Sequence, residues 1–292
     1  MIADFDYFAP KTVKEALSLL SQYREGAKMI AGGQSMLVVM KQGLLAPEYL
    51  IDIKGITALD YIKYDEGKGL RIGALTIHRD IEKSPLIQKH FGVLSEMERN
   101  LATVQTRNWG TIGGNLCHGD PAGDPAPVLI ALKAKLKLAS SGGERIVEME
   151  DFSKDYLEVA LKPDEMLTEI QVPAPPPHTG TAYQKLMVMK GDMGIVGAAV
   201  SITLKVGDGV CQDARIALGN CASTPLRAPK AEKRLIGEAV TDALLVEAGE
   251  VAAAEAAPPS DVHGSPEYRR EMVKVFVKRV ARLALERARA AS

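Results

Sequence analysis

The sequence predicts an α+β protein in two parts, on three observations. Up to Val172, short apolar runs alternate with helical periodicity and twice lead into glycine-rich turns. Prolines at 173, 175, 176 and 177 then rule out a continuing helix or central strand. Beyond them, three runs of strand character precede helical patterns that reach the C-terminus.

Size and composition agree with this division. A chain of 292 residues is long enough for two domains at the usual domain size. With 46% apolar and 25% charged residues, disordered, collagen-like and disulfide-scaffold classes are excluded. Lysine and arginine total 36 against 37 acids, so no overall field draws in polyanions and nucleic acid is not an expected partner. The opening MIADFDYFAPKTVKEA carries acids where a signal peptide needs basic residues, and no following apolar run is long enough to span a bilayer. A soluble, cytoplasmic protein is expected. Cys117, Cys211 and Cys221 have no C-x-x-C spacing, so neither a disulfide framework nor a zinc or iron-sulfur cage is written here, and metal chemistry is expected on another chain.

The elements follow in order. Thr12 and Glu15 form a capping box before Val13, Ala16, Leu17 and Leu20, which predicts a helix ending near Gly26. Lys28 to Ile30 and Tyr49 to Ile53 read as short strands, and Leu70 to Leu75 as another. Thr76 is placed to cap a helix through Ile77 and Ile81, and Pro85 restarts a helical pattern to about Ala102. Lys135 to Ala139 and Arg145 to Glu150 flank Ser140-Ser141-Gly142-Gly143 as a hairpin, and Glu165 to Val172 reads as one more alternating strand. After the prolines, Tyr183 to Met187, Ala198 to Val206 and Val210 to Leu218 suggest a three-stranded antiparallel sheet turning at Gly207-Asp208-Gly209. Ala228 to Ile236, Thr241 to about Ala257 and Pro266 to Ala290 have helical periodicity. In the last, Arg269, Arg270, Lys274, Lys278, Arg279 and Arg282 read as a solvated basic face.

Two glycine turns carry the candidate chemistry. Ala31-Gly32-Gly33-Gln34-Ser35-Met36 follows a strand, and glycine lets several backbone N–H groups converge on an anion; a tight turn without a ligand is the alternative. It is neither G-x-G-x-x-G nor a P-loop. Gly110-Thr111-Ile112-Gly113-Gly114-Asn115 adds a hydroxyl and an amide to its backbone donors, so that two such nests would hold two phosphates. Downstream, Asp124 lies in a glycine- and proline-rich loop, where it either accepts bonds from sugar or ribityl hydroxyls or closes an Asx turn. His118 and Cys117 are sequence neighbours and as such poor chelators. Tyr183-Gln184-Lys185 either places a cation on the solvent face of a strand or brings it to a cofactor.

AGGQSM and TIGGN, with Asp124 nine residues beyond Asn115, resemble the two FAD-binding loops of the molybdenum hydroxylase flavoproteins, the xanthine dehydrogenase and aerobic carbon monoxide dehydrogenase family, and most of all the medium subunit of the latter. The resemblance extends over nearly the whole chain, through FDYFAPKTVKEALSLL, DEMLTEIQVP, TAYQKL, GDMGIVGAAV, ASTPLRA and SPEYRREM. It implies a vanillyl-alcohol-oxidase-type (PCMH-type) FAD-binding domain over 1–177, in subdomains of about 1–57 and 58–177. A small C-terminal domain over 178–292 would follow. Carried over by position, Ile30, Ala31, Gly32, Gly33, Gln34, Ser35 and Met36 would grip the FAD pyrophosphate with Thr111, Ile112, Gly113, Gly114 and Asn115. Asp124, Leu167 and Lys185 match further flavin-contacting positions, Leu101 falls near another, and Met193 stands where the carbon monoxide dehydrogenase subunit has an aromatic residue over the ring. Lys185 beside the isoalloxazine would favour an anionic reduced flavin.

The function so implied is an electron-transfer subunit, with no catalytic acid, base or nucleophile of its own. Electrons would come from the [2Fe-2S] clusters of a small subunit, fed by a molybdopterin large subunit, and leave to a quinone, NAD or oxygen, in a dimer of heterotrimers. A stand-alone FAD-dependent reductase or oxidase of the same fold, and a flavin-less scaffold, are the alternatives. Intact glycines in both loops argue against the scaffold.

Overall fold

The computed structural model describes residues 2–207 and 209–291, so Asp208 of the expected turn lies outside the described residues. The first unit is a three-stranded parallel sheet of β1 (Asp6–Phe8), β2 (Ala27–Ile30) and β3 (Tyr49–Asp52), ordered β1-β3-β2. Helix α1 (Val13–Tyr23) covers it with Ala16, Leu17 and Leu20, and the capping box at Thr12 and Glu15 forms as expected. Helix α2 (Met36–Lys41) follows β2, so the first glycine turn stands at the C-terminal edge of a parallel sheet, where strand ends leave a crevice.

The second unit is a five-stranded sheet. β4 (Ile62–Asp65) and β5 (Gly69–Gly73) form one edge; six short helices intervene, α3 (His78–Lys83), α4 (Pro85–His90), α5 (Gly92–Asn100), α6 (Val104–Trp109), α7 (Ile112–His118) and α8 (Pro125–Ala131). The hairpin β6 (Lys135–Ser140) and β7 (Gly143–Glu148), the two-stranded β8 (Ser153–Asp155) and β9 (Glu158–Val159), and β10 (Met166–Val172) complete it in the order β4-β5-β10-β6-β7.

Three expectations are corrected here. Thr76 caps no helix, because its hydroxyl both donates to the Tyr61 carbonyl and accepts from the Tyr61 N–H, and α3 starts two residues later. The helical pattern from Pro85 breaks at Phe91, whose side chain turns into the core beside Tyr64 just before Gly92. β10 does not alternate: it is the central strand and is buried on both faces. Its polar residues are partnered inside, Thr168 on the Lys137 carbonyl and Glu169 by the Tyr61 hydroxyl at 2.7 Å.

The expected three-stranded sheet has a fourth member. β11 (Thr179–Leu186), β12 (Val196–Leu204) and β13 (Cys211–Gly219) pair antiparallel, and the two-residue β14 (Leu226–Arg227) adds to β13. Helices α9 (Pro229–Leu235) and α11 (Pro266–Ala290) pack against this sheet, and α10 (Asp242–Glu255) packs on both of them. Gly180 of β11 lies so close to α11 that a Cβ would strike the Ala284 carbonyl. Ala199 and Ala217, on the same sheet, belong to the core built mainly by the five-stranded unit, so apolar contact continues past the prolines.

The basic face of α11 is also corrected at one residue. Arg269 is fully buried, its guanidinium forked onto both oxygens of Asp261 at 2.6 and 2.7 Å and bonded to the carbonyls of Ile195 and Asn220. A buried arginine is tolerable only with such complete pairing. It ties the start of α11 to the segment entering β12.

Candidate functional site

The first glycine turn is an open set of donors. Among the described residues, the N–H groups of Gly32, Gly33, Gln34, Ser35 and Met36 find no acceptor in the protein. Ser35 occupies the N-cap position of α2, yet its side chain caps nothing. Gln34 bends back to donate from Nε2 to the Gly32 carbonyl at 3.1 Å. Gly33 has φ of +71°, a left-handed conformation that favours glycine. Consecutive unpaired N–H groups following a strand end are the kind of donor set a phosphate takes.

The second turn is built differently. The segment after Gly110 is the start of α7, capped by the Thr111 hydroxyl, which accepts from the Gly114 N–H at 3.1 Å. Ile112 donates to the Thr76 carbonyl, Gly113 to that of Ala74 and Asn115 to that of Thr111. All four backbone donors from 112 to 115 are therefore engaged within the protein, which corrects the expectation of a second backbone nest. What the segment still offers is the side-chain amide of Asn115, half-buried and unpaired among the described residues.

The two turns touch. A Cβ on Gly32 would run into the Trp109 carbonyl and Gly110, and one on Gly110 would lie 3.5 Å from Cγ of Gln34. Gly114 brings α7 close to Ala31. Glycine here sets the spacing between loops as much as the conformation within them.

A polar cluster lies beyond the end of α7. Asp124, at the N-cap position of α8, makes no Asx-type bond to its own helix; its carboxylate accepts the Tyr183 hydroxyl at 2.6 Å and the Lys185 ammonium at 2.7 Å. Lys185 is not on a solvent face: its side chain is buried and also donates to the Asp192 carbonyl at 2.8 Å. Burial pushes the Asp124 carboxyl upward against the pull of Lys185, and burial beside that carboxylate raises the Tyr183 hydroxyl well above its ordinary value, so Tyr183 remains a donor.

The remaining expected positions scatter around this frame. Leu101 ends α5 in a buried turn whose carbonyl, with that of Ala102, is held by Arg107. Leu167 lies in β10 opposite Leu138, inside the core rather than on the turns. Met193 is 59% exposed in the β11–β12 connection, which approaches Ala102 through Gly191. Among the described residues no three His, Cys, Asp or Glu side chains are grouped to hold a metal ion.

Comparison with known proteins decides the family. Residues 3–175 match the FAD binding domain in molybdopterin dehydrogenase, and residues 181–284 the CO dehydrogenase flavoprotein C-terminal domain. The chain belongs to the FAD-binding medium subunits of the molybdenum hydroxylases. This medium subunit is 39% identical to the carbon monoxide dehydrogenase medium chain of Hydrogenophaga pseudoflava, over 97% of this chain and 98% of the relative. It is 34% identical to the glyceraldehyde dehydrogenase medium chain of Sulfolobus acidocaldarius, over 94% and 95% of the two. In structure it superposes on a chain of carbon monoxide dehydrogenase from H. pseudoflava with a TM-score of 0.95, covering 98% and 99% of the chains at 39% identity. Quinoline 2-oxidoreductase from Pseudomonas putida 86 gives 0.91 at 30% identity, covering 100% and 99%. The relatives are subunits of oxidoreductases, and the chain carries an FAD-binding domain.

Sequence reasoning did not single out Tyr183, Asp192 or Asn220 as site residues. Tyr183 had a signal, since it stands two residues before Lys185 and so shares its strand face. Asn220 had only its place after a strand-end glycine; it has φ of +56° and donates to the Gly194 carbonyl at 2.7 Å.

Proposed function

We propose that this chain is the electron-transfer subunit of a molybdenum-containing hydroxylase, with FAD held between the first glycine turn and the Asp124–Lys185 cluster. The open N–H groups of Gly32 to Met36 carry the assignment, because they supply matched donors for a diphosphate without excess positive charge. When bound, FAD supplies the exchange between one-electron and two-electron carriers. The residues of this chain hold it, orient it and set its surroundings. Asn115 would bound the diphosphate side with its unpaired side-chain amide, and Asp124 would accept bonds at the sugar-like chain. Lys185 has three ammonium protons, of which two are held by the Asp124 carboxylate and the Asp192 carbonyl, and the third would be the one to offer a bound cofactor. The exposed Met193 would offer its thioether to a bound flavin where it otherwise meets solvent.

Electrons come from [2Fe-2S] clusters on a small partner subunit and originate at a molybdopterin large subunit. They leave to a quinone, NAD or oxygen, the whole forming a cytoplasmic dimer of heterotrimers. Residues 1–177 are the cofactor-holding part and 178–292 the smaller domain that closes it through Lys185 and Tyr183. Among the described residues no helix is long and apolar enough to cross a membrane.

The test is an absorption spectrum of the purified chain, with and without coexpressed partner subunits, and identification of the cofactor released on denaturation. Released FAD, with molybdenum and iron present only when partners are present, is the expected outcome. A colourless chain that refuses added FAD overturns it. In the flavin-loaded complex, Lys185→Met should shift the flavin potential, and an unchanged potential would remove the role given to Lys185.

A further inference from the structure

Two loops hold Lys185, and Asn220 is bonded to both. The Lys185 ammonium is shared between the Asp124 carboxylate at 2.7 Å and the Asp192 carbonyl at 2.8 Å, so its place is set by the spacing of the segment before α8 and the β11–β12 connection. The Asn220 N–H donates to the carbonyl of Pro121, in the loop that leads to Asp124, at 2.7 Å. Its side-chain amide donates to the carbonyl of Gly194, just after Asp192 and Met193, also at 2.7 Å. Asn220 follows β13 directly, where the ladder with β12 ends at the Gly197–Gly219 pair, and its φ of +56° turns the chain out of the sheet. Asparagine tolerates that left-handed conformation better than most residues. An asparagine kept only for such a turn bonds to backbone close by, whereas this amide reaches a carbonyl 26 positions earlier.

Asn220 is itself anchored, and both loops are braced so that they pass its placement on. Its carbonyl accepts from the buried Arg269, which also holds the carbonyl of Ile195 next to Gly194. On the first loop, Asp120 accepts the Ala122 N–H on its carboxylate and the Gly123 N–H on its carbonyl, closing the turn that leads from Pro121 to Asp124. On the second, the Met189 N–H donates to the Asp192 carboxylate at 2.9 Å and the Asp192 N–H to the Met189 carbonyl at 3.1 Å, while the Ile195 N–H donates to the Leu186 carbonyl at 2.8 Å. A shift of Pro121 against Gly194 is therefore carried to the two acceptors of Lys185.

We propose that Asn220 is a positioning residue of the cofactor site: it fixes the spacing of the two loops, hence the place of the Lys185 ammonium, and through that cation the reduction potential of the bound flavin. This rests on the FAD reading above and on the role given there to Lys185. A cation beside the ring favours the reduced, more negative form, so Lys185 in place holds the potential up and a displaced ammonium lets it fall. Asn220 touches neither the cofactor nor Lys185; it acts through the Pro121 and Gly194 carbonyls alone.

Asn220→Gly tests this, because glycine keeps the left-handed backbone and the N–H on Pro121 and removes only the amide on Gly194. In the full-length apoprotein, hydrogen exchange at the Asp192 and Ile195 amides should speed up while the amides of β12 keep wild-type protection. In the flavin-loaded complex with its partner subunits, a redox titration followed at the flavin absorbance should give a potential below that of wild type, in the direction of Lys185→Met and no further. The double variant Asn220→Gly/Lys185→Met should match Lys185→Met alone, whereas an asparagine that merely stabilised the fold would add a shift of its own. Asn220→Asp keeps the turn preference but sets an acceptor against the Gly194 carbonyl, and it carries the exchange measurement if Asn220→Gly does not fold. Unchanged exchange in a folded variant, an unchanged potential, or a shift that adds to that of Lys185→Met overturns the role of Asn220 and leaves the FAD reading standing. A potential unmoved by Lys185→Met overturns the roles of both residues, and a complex that holds no FAD overturns the FAD reading with them.

Discussion

The two glycine turns have nearly the same composition and opposite physics. In the first, Gly32 to Met36 leave their N–H groups unpaired at a strand end, while in the second, residues 112 to 115 donate every backbone N–H to the carbonyls of Ala74, Thr76 and Thr111 or to the Thr111 hydroxyl. Glycine serves approach in one and packing in the other: Gly33 supplies a left-handed backbone, whereas Gly113 has φ that any residue adopts but rests directly on Ala74. A glycine motif therefore does not by itself say whether its amides are available. What decides is whether a neighbouring strand or loop already supplies acceptors, as the 74–76 segment does for α7.

The largest expected effect follows from packing. In Gly113→Val, the first carbon of the new side chain would lie 2.5 Å from the Ala74 carbonyl oxygen and 2.7 Å from the Ala74 Cβ. Neither can move without displacing β5, so the variant should lose about 3 kcal/mol or more of stability whether or not FAD is present. Urea unfolding of the two apoproteins measures it; a loss that appears only as weaker FAD binding would mean the second turn is a ligand loop after all. Gly33→Ala is the converse. Its Cβ would meet only the ends of Leu37 and Ile30, at 3.2 and 3.4 Å, so the cost is the left-handed backbone, about 1–2 kcal/mol. Relaxation of that strain would re-aim the open amides, and the FAD dissociation constant should rise at least tenfold.

The same contrast shows what could be read in the sequence. Features resting on local sequence were legible: the Thr12–Glu15 capping box, the hairpin across Ser140 to Gly143, the end of β10 before the prolines. The family resemblance marked both turns, Asp124 and Lys185 as expected cofactor positions, and the fold brings the last two together. Features whose partners lie far along the chain were not. Thr168 and Glu169 made β10 look half-exposed because their internal partners, the Lys137 carbonyl and Tyr61, are remote. Arg269 read as solvated because Asp261 and the carbonyls of Ile195 and Asn220 meet it only in the fold. A two-residue strand such as β14 carries too little pattern to show. Above all, the acceptors that close the second turn sit some forty residues upstream, and no local pattern announces them.

Two smaller changes sharpen the comparison at its hydroxyls. Thr111→Val removes the side chain that satisfies the Gly114 N–H, and loss of such a cap costs about 1 kcal/mol. It should lower the urea midpoint of the apoprotein; an unaltered midpoint would show that the cap adds nothing to the bonds at Ala74 and Thr76.

Ser35 is the opposite case. It stands at an N-cap position with helical backbone angles, and its hydroxyl bonds to no backbone N–H of α2, so the ordinary reason for a serine there is missing. Ser35→Ala should therefore change apoprotein stability by less than about 0.5 kcal/mol. If the first turn is the ligand loop, the hydroxyl has its partner in the cofactor, and losing that hydrogen bond should weaken FAD binding by about 1 kcal/mol, roughly fivefold. The two measurements separate the turns cleanly: Thr111→Val acts on folding and Ser35→Ala on binding. A Ser35→Ala variant that loses stability and keeps full FAD affinity would reverse the assignment, making the first turn a structural cap and leaving the diphosphate to other donors.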